Sequence, residues 1–197
     1  MGRYGRMARI IAGRGKGRRL KTPRGLETRP TAARLRQSLF DILAPVLPGC
    51  RFLDAFAGSG AIGLEALSRG ASRVVFVDVS APAIAAIREN VAALAAAGGD
   101  VQVFRQDARV ALAGLADSGV RFDVVYLDPP YDSGLYEELL DIVSTMGLLQ
   151  DGGVAVAEHF HKRALPETIG RLARTRSVRV GDHLLSFYRG QESASER

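Results

Sequence analysis

From Arg51 onward the chain alternates short apolar runs with helix-compatible segments, and this alternation restricts the fold more than any other feature. Arg51–Phe56, Arg73–Val77, Val101–Phe104, Phe122–Leu127 and Val154–Glu158 read as buried strands rich in β-branched and aromatic residues. Gly60–Ser68, Pro82–Ala97, Ala108–Leu115 and Tyr136–Met146 read as helices between them, the second capped by Ser80 and stopped by Gly98-Gly99. Strand, helix, strand at this spacing closes as a crossover between parallel neighbours. The end differs: Leu172–Val180, Gly181-Asp182 and His183–Tyr188 predict a β-hairpin. The expected fold is α/β, a largely parallel sheet with an antiparallel element at its C-terminal end.

The segment before Arg51 follows another rule. Met7–Ala12 and Arg18–Thr22 are β-prone and flank Gly13-Arg14-Gly15-Lys16-Gly17, which predicts a hairpin with a basic tip. Thr31 is placed to cap a helix running to about Leu43, with Leu35, Leu39, Ile42 and Leu43 on one face. Residues 1–36 hold 12 Lys and Arg against one acid, Glu27, while the remaining 161 carry 15 basic and 20 acidic groups. The net charge of +6 thus conceals a basic module on a mildly acidic domain, the usual footprint of a nucleic-acid partner. The expected division is a basic hairpin extension over 1–27, one domain over 28–189 and a frayed tail over 190–197. No apolar run approaches the ~20 residues of a membrane span, and Ile10-Ile11-Ala12 is too short for a signal-peptide core, so a cytoplasmic protein with no membrane partner is expected. The single cysteine, Cys50, excludes an internal disulfide and a cysteine-based zinc cluster and reads as core filler. No metal site is apparent, and nothing demands more than a monomer.

Two loops carry the chemistry. Asp128-Pro129-Pro130-Tyr131 follows the strand Phe122–Leu127, at the carboxyl edge where open α/β sheets bind ligands. Proline lacks an N–H and fixes φ, so the loop cannot extend the ladder and stays stiff. It offers carbonyls, a carboxylate and a ring, which suit a flat base bearing an exocyclic amino group. The other loop, Asp54-Ala55-Phe56-Ala57-Gly58-Ser59-Gly60-Ala61-Ile62-Gly63, joins the first strand to the first helix. Gly58, Gly60 and Gly63 formally match the dinucleotide fingerprint, with Asp78 following Gly58 at the ribose spacing. On those residues alone a nicotinamide cofactor stays open. That fingerprint, however, gives no work to Asp54. An acid there suits the cationic amino-acid end of S-adenosylmethionine, with Asp78 accepting from both ribose hydroxyls and Asp107, beside Ala108, meeting the adenine amino group. Asp107 also suits a helix cap, and Phe56 suits either the pocket wall or core packing.

These residues, in this order, resemble the class I methyltransferases that act on exocyclic amino groups. Arg9-Ile10-Ile11-Ala12-Gly13, Gly17-Arg18-Arg19-Leu20, Thr28–Phe40 and Phe56–Ala71 more narrowly resemble the 16S ribosomal RNA guanine-N2 methyltransferase family, from about Arg9 to Tyr188. The resemblance implies a seven-stranded Rossmann-like domain with an N-terminal hairpin extension. It implies S-adenosylmethionine as cofactor, S-adenosylhomocysteine as product, and 16S rRNA of the small ribosomal subunit, assembled or assembling, as partner. It implies Asp128 and the Pro129 carbonyl as acceptors for the amine N–H bonds, and Tyr131 as a stacking ring. Asp54, Phe56, Gly58, Gly60, Asp78, Asp107 and Ala108 become cofactor contacts; Arg14, Lys16, Arg18, Arg19, Lys21, Arg29, Arg34 and Arg36 become candidate RNA contacts. Family members often carry Glu where Asp78 stands; the shorter acid still reaches ribose hydroxyls. The same loop would serve an adenine-N6 methyltransferase on DNA or RNA, and a non-catalytic RNA-binding assembly protein is a further alternative.

Overall fold

A computed structural model describes residues 8–23, 30–94, 98–130 and 134–191. The chain runs β1 (Ala8–Arg9), β2 (Arg19–Leu20), α1 (Pro30–Leu43), β3 (Arg51–Asp54), α2 (Ala61–Ser68), β4 (Arg73–Asp78), α3 (Ala81–Ala93) and β5 (Asp100–Arg105). It continues α4 (Ala108–Asp117), β6 (Phe122–Leu127), α5 (Tyr136–Thr145), β7 (Leu149–Phe160), β8 (Thr168–Ile169), β9 (Leu172–Val180) and β10 (His183–Gly190). The main sheet has the order β5-β4-β3-β6-β7-β10-β9-β8, and β1 and β2 form a separate pair. β5 through β7 are parallel, and β10, β9 and β8 are antiparallel. The strand order reverses between β3 and β6, which places the ligand-binding crevice at their carboxyl ends.

The sheet is the expected one with an eighth strand. β8 is two residues long, too short for any periodicity to announce it, and exists through its pairing with β9. β7 is longer than its apolar run because Leu149 pairs with Phe122 through an irregular register, carrying Asp151-Gly152-Gly153 into the strand. Alternation splits the core in two. Phe52, Phe76, Val124, Tyr126 and Val156 pack towards α1, α2 and α3. Leu53, Val75, Val125 and Leu127 pack towards Leu112 of α4 and Leu139 and Leu140 of α5. Cys50 is buried, as a core residue should be.

The N-terminal hairpin is part of this core. Ala8, Ile10 and Leu20 are buried in the α1-side cluster. Buried polar groups hold its backbone: Glu65 of α2 accepts from the N–H groups of Ile11 at 2.7 Å and Ala12 at 2.9 Å. Asn90 of α3 accepts from the Lys21 N–H at 2.8 Å and donates to the carbonyls of Lys21 and Ser59 at 2.9 and 3.0 Å. The tip lies on the end of α2, where the Arg14 N–H donates to the Ser68 carbonyl at 2.8 Å and the Gly15 N–H to its hydroxyl at 2.9 Å. Gly13 has φ +80°, and a Cβ there would stand 1.9 Å from the Ser68 carbonyl oxygen, so only glycine allows this approach.

This docking decides where the basic tip sits. A crossover helix must return the chain to the start of the next parallel strand, so Ser68 and Ala93 end their helices at the edge where the strands begin. The tip therefore lies at the opposite edge of the sheet from the crevice, about 20 Å away by the length of α3.

Arg36 departs from the expectation of an RNA contact. It is 5% exposed, donates to the Arg9 carbonyl at 2.6 Å and faces Glu65 at 4.0 Å. The helical stripe of α1 predicts only which positions meet apolar groups; it could not reveal a buried acid on α2 awaiting a cation.

Candidate active site

A cavity of about 530 Å³ opens at the carboxyl ends of β3, β4 and β6. Asp54, Phe56, Gly58, Asp78, Asp107, Ala108, Asp128 and Pro129 all line it. The volume is within the usual range for small-molecule sites. Gly60 is outside the lining. It caps α2 at φ 79°, making the turn that lets the loop close, and any Cβ there would press on Leu64 and Ile87 at 3.1 and 3.2 Å. Phe56 does both things foreseen for it, facing the cavity while packing on the α4–α5 side of the core.

The glycine loop is wired to acids. Asp54 Oδ2 accepts from the Gly63 N–H at 3.0 Å inside α2's first turn. Asp78 accepts from the Gly58 N–H at 2.8 Å with one oxygen and from the Ser80 N–H at 2.8 Å with the other. The Gly60 N–H is taken by the Ala57 carbonyl at 2.6 Å. A pyrophosphate needs those N–H groups and the positive helix end; here they are occupied and two carboxylates stand where its charge would go. The loop is suited to a cation.

Asp54 shows this most clearly. It is 1% exposed, its Oδ1 has no hydrogen-bond partner among the described residues, and burial pushes its pKa up to about 7, with Asp78 and Glu158 adding to the rise and the Gly63 and Phe56 N–H groups opposing it. An orphaned buried carboxylate oxygen on the cavity wall is a place for an ammonium or its water. Asp107 is the N-cap of α4, accepting from the Arg109 N–H at 2.9 Å, and its carboxylate also holds the Arg109 guanidinium at 3.0 Å. The Arg109 hydrogen bond holds its pKa below the usual value.

At the far wall, Pro129 turns its carbonyl to the Tyr136 hydroxyl, which donates at 3.3 Å. The guanidinium of Arg163 lies 5.0 Å over the Tyr136 ring and pairs with Glu137 at 2.8 Å. Asp128 has its pKa raised well above the carboxylate range by burial first and then by Glu158 and Asp54. Tyr131 lies outside the described residues, as does Arg29.

One residue of this wall and the partner behind it have no motif. Tyr126 lines the cavity, and its hydroxyl donates a short hydrogen bond to Glu158 on the neighbouring strand. In the sequence Tyr126 is one more aromatic in a strand and Glu158 one polar residue at a strand's end. The one signal that could have found them is their place at the carboxyl ends of strands flanking the Asp128 loop. His159 is buried, with Nε2 2.9 Å from the Ser186 hydroxyl.

Of the candidate RNA contacts, Arg14, Lys16, Arg18, Arg19, Lys21 and Arg34 are exposed. Arg18 also donates to the Ala93 carbonyl, and Lys21 pairs with Glu89 at 2.5 Å. The tip residues share one surface, and Arg34 lies apart on the opening turns of α1.

Residues 8–189 match the family described as conserved hypothetical protein 95. The Bacillus subtilis protein YlbH is 39% identical over 181 residues, 92% of this chain and 98% of its own. Ribosomal RNA small subunit methyltransferase D of Escherichia coli is 37% identical over 158 residues, 80% of this chain and 77% of its own. The solved structure of yhhF from Escherichia coli matches with a TM-score of 0.81 at 33% identity, over 95% of this chain and 99% of that one. The T. thermophilus 16S rRNA N2 G1207 methyltransferase, solved with AdoMet and guanosine, shares the fold at a TM-score of 0.73 and 21% identity, over 94% of this chain and 50% of that one.

Proposed function

Because the chain belongs to the family described as conserved hypothetical protein 95, we propose that it methylates ribosomal RNA of the small subunit from S-adenosylmethionine, at the exocyclic N2 of a guanine. The observation that carries this reading is one cavity holding the orphaned acid Asp54, the ribose-type acid Asp78 and the Asp128-Pro129 acceptors together. S-adenosylmethionine supplies, when bound, an electrophilic methyl group on sulfur.

The chain's own residues supply position and charge. Asp54 holds the cationic amino-acid end; Asp78, whose oxygens each accept only one N–H from the protein, keeps lone pairs for ribose hydroxyls. Asp107 and Ala108 face the adenine. The guanine amino nitrogen is a poor nucleophile because its lone pair is delocalised into the ring. Asp128 and the Pro129 carbonyl accept its two N–H bonds, favour a pyramidal nitrogen and offset the positive charge that develops there. Tyr136 fixes the Pro129 peptide through its hydroxyl, which keeps that acceptor aimed. Tyr131 stacks on the base, which must leave its own stack to enter. Alignment of nitrogen and methyl inside the walled cavity contributes through near-attack geometry. The basic tip and Arg34 meet phosphates, which positions the RNA without reading its sequence.

The reading is tested by incubating the protein with labelled S-adenosylmethionine and small subunits that lack the modification, then digesting the RNA and identifying the nucleoside. N2-methylguanosine is expected. N6-methyladenosine overturns the choice of base, and no label in RNA overturns methyl transfer to this substrate.

Two further results are expected. Cofactor affinity should be steady above pH 7 and fall below it, by at most about tenfold per pH unit. The sign follows from Asp54: protons and the ligand's ammonium compete for one carboxylate that titrates near 7 in the free protein. Calorimetric titration of S-adenosylhomocysteine across pH checks this, and in Asp54→Asn the slope should vanish along with most of the affinity. Replacing Arg14, Lys16 and Arg19 together by Gln should weaken RNA binding and lower the slope of log K against log salt by about 0.7 for each phosphate no longer neutralised. Cofactor affinity should be unchanged, because these side chains lie at the other edge of the sheet.

A further inference from the structure

Asp128 belongs to a row of polar groups along the carboxyl edge of the sheet. Leu127 of β6 is in register with Ala157 of β7, so Asp128 and Glu158 occupy neighbouring positions on adjacent strands. Alternation puts both on the face of Tyr126 and Val156, towards α1. Glu158 pairs with Leu185 of β10, and His183, two residues earlier, shares that face. The contacts agree with the register. The Tyr126 hydroxyl donates to Glu158 Oε2, and His183 Nδ1 stands 2.9 Å from Glu158 Oε1. Glu158 is buried at 9% exposure, whereas the His183 side chain is 20% exposed. A buried carboxylate thus takes a hydrogen bond from a phenol on the cavity wall, with the His183 ring beside it.

Among the described residues, the charged groups on this face include Asp54 from β3, Asp78 from β4 beyond it, and Arg36 from α1 near Tyr126, beside Glu65 and Arg69 of α2. Arg36 is committed to Glu65 and the Arg9 carbonyl. Asp128 therefore faces two carboxylates, of which Glu158 is the larger influence.

We propose that Glu158 is a positioning residue for methyl transfer: its carboxylate, in register beside Asp128 and held by the Tyr126 hydroxyl, makes Asp128 a strong proton acceptor. This rests on the amine-methylation reading above. The step balances without a further reactant. The amine nitrogen forms the N–C bond as the S–C bond breaks, with that electron pair left on sulfur. The N–H electron pair returns to nitrogen, and the proton goes to the Asp128 carboxylate. Asp128 gives the proton up to water once the methylated base leaves.

The test begins without substrate. Carbon-13 carboxyl NMR of the ligand-free protein should show the Asp128 titration moving down by about one pH unit or more in Glu158→Gln. In turnover, the acid limb of log kcat against pH should move down with it, and the plateau should drop about tenfold or more because Asp128 becomes the weaker base. Glu158→Asp should recover part of both. An unmoved Asp128 titration in Glu158→Gln overturns the proposal, whatever its activity. Where Glu158→Gln does not fold, Glu158→Asp decides, and an Asp128 titration unmoved from wild type overturns it. If the wild-type protein methylates no RNA, the reaction reading fails while the titration still reports on Glu158.

Discussion

Asp128→Ala is expected to lower the methyl-transfer rate constant by about 10³-fold while leaving cofactor affinity within a few-fold of wild type. The carboxylate lies on the cavity wall beside the Pro129 carbonyl, across from the glycine loop that would hold the cofactor. On the proposed mechanism, removing it takes away one of two acceptors for the amine and the negative charge that offsets the developing cation. Pro129 keeps its carbonyl, so the base can still dock. Single-turnover transfer and calorimetric cofactor titration on one preparation separate the two effects; near-normal turnover would sink the assignment. Stability provides an independent check with a definite sign. Asp128 titrates above its unfolded value, because burial and then Glu158 and Asp54 disfavour its charged form. Its contribution is therefore most favourable at acid pH and is lost as pH rises from the unfolded value through the folded one. The melting temperature of Asp128→Ala relative to wild type should rise over that window, which urea or thermal melts at several pH values will show.

Glu65→Ala should destabilise the protein by about 3–5 kcal/mol, because it breaks a buried charge network from one side. Glu65 is fully buried; it accepts from the Ile11 and Ala12 N–H groups, holds the Arg69 guanidinium at 2.8 Å and faces Arg36 at 4.0 Å. Its loss strands two N–H groups and two guanidinium ions with few alternatives. The damage should be felt first at the hairpin. Limited proteolysis should cut within residues 8–23 before the rest of the domain, and RNA affinity should fall while the folded fraction still binds cofactor. Glu65→Gln, which keeps acceptors but not the charge, should lose less. A change in unfolding free energy under about 1 kcal/mol, small for a buried pair, would mean that apolar packing of Ala8, Ile10 and Leu20 carries the hairpin without help.

Both expectations rest on groups that the sequence exposes unequally. Asp128 is legible because its neighbours are prolines at the end of an apolar strand, a local pattern with local consequences. Asp54, Asp78 and Asp107 are legible for the same reason, each ending a strand or opening a loop at the edge where parallel strands finish. Glu65 is not. It is one acid in the middle of a small-residue helix, and the hairpin N–H groups it holds are 53 and 54 residues away along the chain. Asn90 is similar, an ordinary helical residue until Lys21 and Ser59 close on it. Arg36 reads as an RNA contact in the sequence because a cation near a basic cluster carries no mark of being buried; only α2 packing across it turns it inward.

The sequence by itself determined the alternating α/β order, the parallel sheet with its antiparallel end, the two chemical loops and the basic N-terminal block. Each depends on hydrophobic period, on glycine and proline at fixed offsets, or on summed charge, all of which act between near neighbours. The tertiary structure alone decided that the basic tip docks on the ends of α2 and α3, away from the cavity, and that Tyr126, Glu158 and His183 line up beside Asp128. Those arrangements follow from strand register and helix packing, which bring together residues with no sequence relation, and in a buried setting such meetings fix which charges are paired and which are left to do chemistry.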